Sequence, residues 1–159
     1  MNSEKTNFVV LINGHQISQV HSSKYLGLYI DDGLNWKNHI EDIYGKLLRP
    51  VGIFYKIRNK LPLAVLKTIY FAFVHSHILY GIALYANTGS THLHKLLTLN
   101  NKLLRILQNK PFQSPTRNLY SKYNTLPIPD LHRQQSCYLI INLFIEKIVY
   151  QIYLLIILY

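Results

Sequence analysis

The spacing of apolar positions changes character near residue 36 of this chain. Before it, apolar residues sit in short runs. Phe8 to Ile12 and Gln16 to Val20 are separated by Asn13-Gly14, a pair suited to the two positive φ angles of a type I′ turn, so the spacing predicts a hairpin. Tyr25 to Ile30 reads as a third short strand. From Trp36 onward the period is helical: Trp36, Ile40, Ile43, Tyr44, Leu47 and Leu48 recur on one face, with Asn35 as the expected N-cap. Pro50 ends that helix or opens the next, which runs from about Val51 to Asn59. Pro62 opens a third, through Leu66, Ile69, Tyr70 and Phe73 towards Tyr80-Gly81. Ser90 is the expected cap of a fourth, reaching about Gln108. Pro111 and Pro115 mark a loop, a short helix follows, and Pro127 and Pro129 precede the last. The fold class is therefore α+β and mostly α: a small antiparallel β remnant, a hairpin plus one strand, followed by a helical bundle. The divisions fall at 1–35, 36–110 and 111–159.

Charge gives these helices a direction. The formal net charge is +10, and no Asp or Glu occurs between Ile43 and Pro129, against twelve Lys or Arg. Such a stretch cannot neutralise its own cations, so a polyanion is the natural counter-charge; the plainer reading is a basic face kept for solubility. On the fourth helix, Leu93, Leu96, Leu97, Leu99, Leu103, Leu104, Ile106 and Leu107 cover about half the circumference at 100° per residue. Lys95, Thr98, Lys102 and Arg105 form a narrow stripe opposite. Lys56 and Lys60 are one turn apart, and Lys46 and Arg49 are similarly spaced.

Tyr29-Ile30-Asp31-Asp32 spells the aromatic-x-Asp-Asp signature of a polymerase catalytic hairpin, where adjacent carboxylates hold magnesium. Here Gly33-Leu34-Asn35-Trp36 and a helical pattern follow, so the pair reads as turn chemistry at a helix start. The remaining acids, Glu4, Glu41, Asp42, Asp130 and Glu146, fall on no convincing strand.

Several ordered motifs carry a resemblance. Lys24-Tyr25-Leu26-Gly27 with Asp31, Leu34, Trp36, His39 and Ile40 resembles the segment just after the catalytic palm motifs of LINE-type (non-LTR, jockey-like) retrotransposon reverse transcriptases. Gly52 to Arg58 with Leu61-Pro62 resembles that family's thumb helix. Tyr70 with Tyr80-Gly81, Leu103 to Leu107, and Leu126 to Leu131 fit the helices beyond. Met1 to Val10 resembles the end of the preceding palm motif, so the likeness spans residues 1 to about 144. It implies the end of the palm, the primer grip and the thumb of an RNA-directed DNA polymerase. The fingers, most of the palm, the catalytic aspartates and their magnesium would lie in a missing part, leaving this piece inactive alone, with no cofactor of its own. The family's thumb lies along an RNA–DNA or DNA duplex and contacts phosphates without reading sequence. The implied duplex contacts are Lys46, Arg49, Lys56, Arg58, Lys60 and Lys67, with Lys95, Lys102 and Arg105 on the fourth helix. Lys24, Tyr25 and Gly27 would form the primer grip; the plainer reading is an ordinary strand with Tyr25 and Leu28 in the core.

Other chemistries find little support. His75-x-His77 and His92-x-His94 point their rings about 160° apart on a helix, against the i, i+4 pairs that zinc prefers, so no metal site is expected. Cys137 lies in an apolar run that gives no support for an activated nucleophile, and a single cysteine excludes an internal disulfide. With no signal peptide, the expected location is intracellular, in a nuclear or cytoplasmic ribonucleoprotein. The apolar run Tyr138 to Tyr159 is long enough to span a bilayer, but Glu146 and Lys147 near its middle argue for a buried terminal helix instead. Two alternatives stand beside the polymerase fragment: a free-standing basic helical nucleic-acid-binding protein, and a membrane-associated protein anchored by this tail.

Overall fold

The computed structural model describes residues 10–158; the proposed start of the first strand at Phe8 and most of the Met1 to Val10 motif lie outside them. Strands β1 (Val10–Ile12) and β2 (His15–Ile17) pair antiparallel, Val10 opposite Ile17. Asn13 and Gly14 connect them with φ of 50° and 78°, the turn their sequence predicts. The third strand is not single. Ser22–Tyr25 (β3) and Leu28–Asp31 (β4) form a second hairpin, Ser22 opposite Asp31 and Tyr25 opposite Leu28. Its turn is Leu26-Gly27, both at positive φ (46° and 82°). Leucine seldom adopts that conformation, so no turn signal marks it in the sequence.

Helix α1 (Lys37–Leu48) starts one residue later than its expected cap allows. Trp36 occupies the cap position in the left-handed region, and no side chain caps the helix; Asn35 instead donates its backbone N–H to the Asp31 carboxylate, 2.7 Å away. Helix α2 (Val51–Ile57) follows Pro50, and α3 (Leu63–Tyr70) follows Pro62. Helix α3 continues through a π-helical segment, Phe71–His75, into α4 (Ser76–Leu79), and the rod breaks at Gly81, whose φ is 71°. A short helix that the apolar periodicity does not signal, α5 (Ile82–Tyr85), precedes α6 (Ser90–Leu107). Ser90 is the first residue of α6, not its cap, which is Gly89. Helices α7 (Thr116–Tyr123) and α8 (Ile128–Leu158) complete the order. Asn109 and Asn124, at φ 51° and 52°, close α6 and α7; Lys110 N–H reaches the Arg105 carbonyl at 2.9 Å and Thr125 N–H that of Tyr120 at 3.1 Å. Both follow the glycine-type helix ending with asparagine in its place.

Helix α6 is the hub, packing against α1, α2, α3 and α7. Its Leu96, Leu99, Leu103, Leu104, Ile106 and Leu107 are buried, as the spacing predicts, with Ile40, Ile43 and Leu47 from α1 and Phe54, Leu66, Tyr70 and Val74 from the next three segments. Leu48, placed on the apolar face of α1, is exposed. The expectation of a buried terminal helix is overturned: Ile128 and Leu131 of α8 join the core, but every residue from Cys137 to Tyr150 is exposed. Core contact ends within the first turns, and the helix runs on past the body. Among the described residues, no helix is long and apolar enough to cross a membrane.

His39 packs beside Trp36 as expected, with ring centroids 6.4 Å apart, and meets Tyr85 edge-on at 5.1 Å. It is buried and neither ring nitrogen has a hydrogen-bond partner. Burial holds its pKa below the ordinary 6.5, opposed by the charge of Asp42 and reinforced by Lys46. The unfolded chain therefore takes up the proton first. Stability is full above 6.5 and falls as pH drops below it, until the folded ring itself titrates. Burial of His75 acts in the same direction. Replacing His39 by phenylalanine should flatten this loss between pH 7 and pH 5, by up to about 1.4 kcal/mol per pH unit. Thermal melts across that range measure it, and an unchanged slope would contradict the neutral, unpartnered imidazole.

Candidate nucleic-acid interface

The β3–β4 hairpin displays its residues in a definite way. Leu28 is buried, but Tyr25 is 64% exposed and Leu26 70% exposed, so the reading with Tyr25 in the core does not hold. Lys24 is exposed, opposite Tyr29 in register, with its ammonium 5.1 Å from that ring. Gly27 sits at the tip against Tyr80: a Cβ at that position would lie 3.4 Å from the ring. The Tyr80 hydroxyl donates to the Leu26 carbonyl. The Lys-Tyr-Leu-Gly and Tyr-Gly motifs, more than fifty residues apart in sequence, thus meet in space.

The cations of the helical body differ in how they are held. Arg49, Lys56, Lys60 and Lys102 are exposed. Lys46 is half-buried and paired with Asp42 at 2.7 Å, one turn earlier on α1. Four others lie against aromatic faces. Arg58 sits 5.0 Å from the Tyr55 ring centre, Lys67 6.0 Å from Phe71, Lys95 4.4 Å from Tyr44 and Arg105 5.3 Å from Phe112. Arg105 is also drawn towards the following loop, donating from Nη2 to the Ser114 carbonyl at 3.3 Å. The α6 stripe is thus tied to α1 at Lys95 and to the α6–α7 loop at Arg105, with Lys102 standing clear between them.

Asp31 ends β4 and Asp32 opens the turn that leads to α1. Asp31 Oδ1 accepts the Asn35 N–H, its carbonyl accepts Leu34 N–H at 3.0 Å, and Asp32 Oδ2 lies 3.0 Å from His21 Nδ1. Asp31 Oδ2 makes no hydrogen bond among the described residues. Among the described residues, no group of three or more His, Cys, Asp or Glu side chains is placed to hold a metal ion.

Curated proteins supply the comparison that decides the family. The chain is 30% identical over 128 residues to the RNA-directed DNA polymerase from mobile element jockey of Drosophila funebris, covering 79% of this chain and 14% of that protein. It is 30% identical over 113 residues to the corresponding jockey polymerase of Drosophila melanogaster, covering 69% of the chain and 12% of the relative. A probable RNA-directed DNA polymerase from transposon X-element of Drosophila melanogaster is 28% identical over 101 residues, 62% of the chain and 11% of that protein. This chain corresponds to a segment of a LINE-type reverse transcriptase. No protein-family profile and no solved structure matches it.

Within this reverse transcriptase segment, two groups near the interface carry little signal in the sequence. Lys110 and Lys122 line a cleft of about 330 Å³ with Ser114, Pro115, Asn118 and Leu119, between the end of α6 and α7. They belong to the same acid-free stretch, but only the packing of α7 against α6 brings them together. The second is Tyr80, which the Tyr-Gly motif marks in the sequence but whose contact with the Leu26-Gly27 turn only the fold reveals.

Proposed function

We propose that this segment grips template–primer nucleic acid within a non-LTR retrotransposon reverse transcriptase. The β3–β4 hairpin acts as the primer grip, with Lys24 and Tyr25 meeting a phosphate and a sugar near the primer's 3′ end and Gly27 allowing close backbone approach. The helical body acts as the thumb, with Arg49, Lys56, Lys60 and Lys102 as freely presented phosphate contacts and Arg58, Lys67, Lys95 and Arg105 as positioned ones. One observation carries the reading: an exposed Lys-Tyr hairpin is seated on a helical body with twelve cations and no acid between residues 43 and 129. The metal-binding carboxylates and magnesium belong to the rest of the polymerase, so this chain alone incorporates no nucleotide. It works inside the cell, in a ribonucleoprotein with its element's RNA.

Fluorescence anisotropy with a labelled RNA–DNA hybrid tests the proposal. Neutralising about four to six phosphates gives a log–log slope of affinity against salt of about −3.6 to −5.4. Equal affinity at low and high salt would remove the thumb assignment. Asp31→Asn combined with Asp32→Asn should leave that affinity unchanged, and magnesium-dependent nucleotide incorporation by the chain alone would contradict their turn role.

A further inference from the structure

We propose that Tyr80 is a positioning residue that ties the tip of the β3–β4 hairpin to the helical body, so that the hairpin moves with α3 and α4 as one unit. Three contacts at the helix break support this. The Tyr80 hydroxyl donates to the Leu26 carbonyl, at the first residue of the turn. The Tyr80 ring lies against Gly27, where a Cβ would just reach van der Waals contact with it at 3.4 Å. The next residue, Gly81, seats Leu28: a Cβ on Gly81 would come within 2.7 Å of Leu28 Cδ2, and its φ of 71° strains any other residue. Residues 26 and 27 of the turn and Leu28, the first of β4, thus each meet Tyr80 or Gly81.

The tie explains how so short a hairpin holds an unusual shape. Two strands alone are marginally stable in water, and Leu26 sits in a backbone conformation unfavourable for leucine. An external hydrogen bond and a packed ring offset that strain. At the hairpin's other end, Asp31 holds Asn35, and Thr88, just before α6, donates to the Asn35 carbonyl. Both ends are anchored to the helical body. The β1–β2 hairpin differs, with Val10, Leu11, Ile12 and Ile17 all exposed. On the primer-grip reading, which this inference deepens, Tyr80 transmits the position of the duplex-holding helices to the primer end.

Tyr80→Phe removes the hydroxyl and keeps the ring, and Tyr80 is 54% exposed, so the variant leaves the core unaltered. Hydrogen exchange on the full chain should show amides of residues 22–31 exchanging about fivefold faster, the loss of one ordinary hydrogen bond, with α1 and α6 unchanged. In parallel, an RNA–DNA hybrid with 2-aminopurine at the primer's 3′ terminus is titrated. Overall affinity should stay within about twofold, while the terminal fluorescence change falls. Unchanged exchange at residues 22–31, or equal loosening of α1 and α6, overturns the positioning role. If the wild-type chain binds no hybrid, the nucleic-acid reading fails, and the exchange result still decides the tie.

Discussion

Replacing Asn100 by alanine is expected to destabilise the chain by about 3 kcal/mol, combining unsatisfied buried groups with a small cavity. Asn100 is fully buried on α6, the helix against which α1, α2, α3 and α7 pack. Its Oδ1 accepts from the Tyr70 hydroxyl at 3.1 Å, and its Nδ2 donates to the Tyr120 hydroxyl at 3.2 Å. Tyr120 directs its own proton to Asn101 Oδ1 at 2.6 Å. One amide thus links α3, α6 and α7 through three polar groups removed from water. Truncation leaves the Tyr70 hydroxyl without its acceptor, and burial already pushes that hydroxyl's pKa well above the ordinary range, so ionisation gives no escape. Urea unfolding at pH 7 measures the loss. Tyr70→Phe should cost about 1 to 2 kcal/mol, and the double variant should fall short of the sum by at least about 0.5 kcal/mol, because both changes break one bond. A loss under about 1 kcal/mol for Asn100→Ala would show that the bridge is dispensable.

The largest expected effect on binding comes from replacing Lys46, Arg49, Lys56 and Lys60 together by glutamine. Each phosphate left without its cation takes about 0.9 off the salt slope, so the four replacements together should flatten it by roughly 3. The four are not equal. Lys46 is paired with Asp42 at 2.7 Å, so part of its charge is spent within the protein, whereas Arg49, Lys56 and Lys60 are exposed. Lys46→Gln alone should therefore change the slope by well under about 0.9. Thermal melts should stay close to the parent, since none of the four contributes to the core. A slope unchanged in the quadruple variant would move the interface elsewhere on the molecule.

What the sequence disclosed depended on how local its signals were. The leucine face of α6, the Asn13-Gly14 turn and the helix openings after Pro50 and Pro62 follow from spacing and backbone preference alone, and each appears where expected. The Leu26-Gly27 turn does not, because its conformation is imposed by Tyr80, fifty-four residues away, against the preference of leucine. The π-helical segment at Phe71–His75 is hidden for a related reason: widening one turn changes the hydrogen-bond ladder but scarcely disturbs the apolar period. Asn35 has the composition of a cap, yet Asp31 recruits its backbone and Trp36 takes the position. The tail departs from expectation because hydrophobicity reports a preference for cover and cannot supply the cover. For the candidate interface, charge locates the stretch, but pairings such as Lys46 with Asp42 and Arg105 with Phe112 emerge only from packing.

The ring-held cations have a consequence for long-range attraction. A carboxylate that steadies a lysine also cancels its monopole, so order is gained and field is lost. A benzene or phenol face carries a quadrupole and no net charge; it restrains the cation while leaving its far field almost whole. With Tyr44, Tyr55, Phe71 and Phe112 in that role, Lys95, Arg58, Lys67 and Arg105 would, on the proposed thumb reading, keep most of their pull on a distant strand of phosphates while giving up part of the side-chain freedom that capture would otherwise have to freeze.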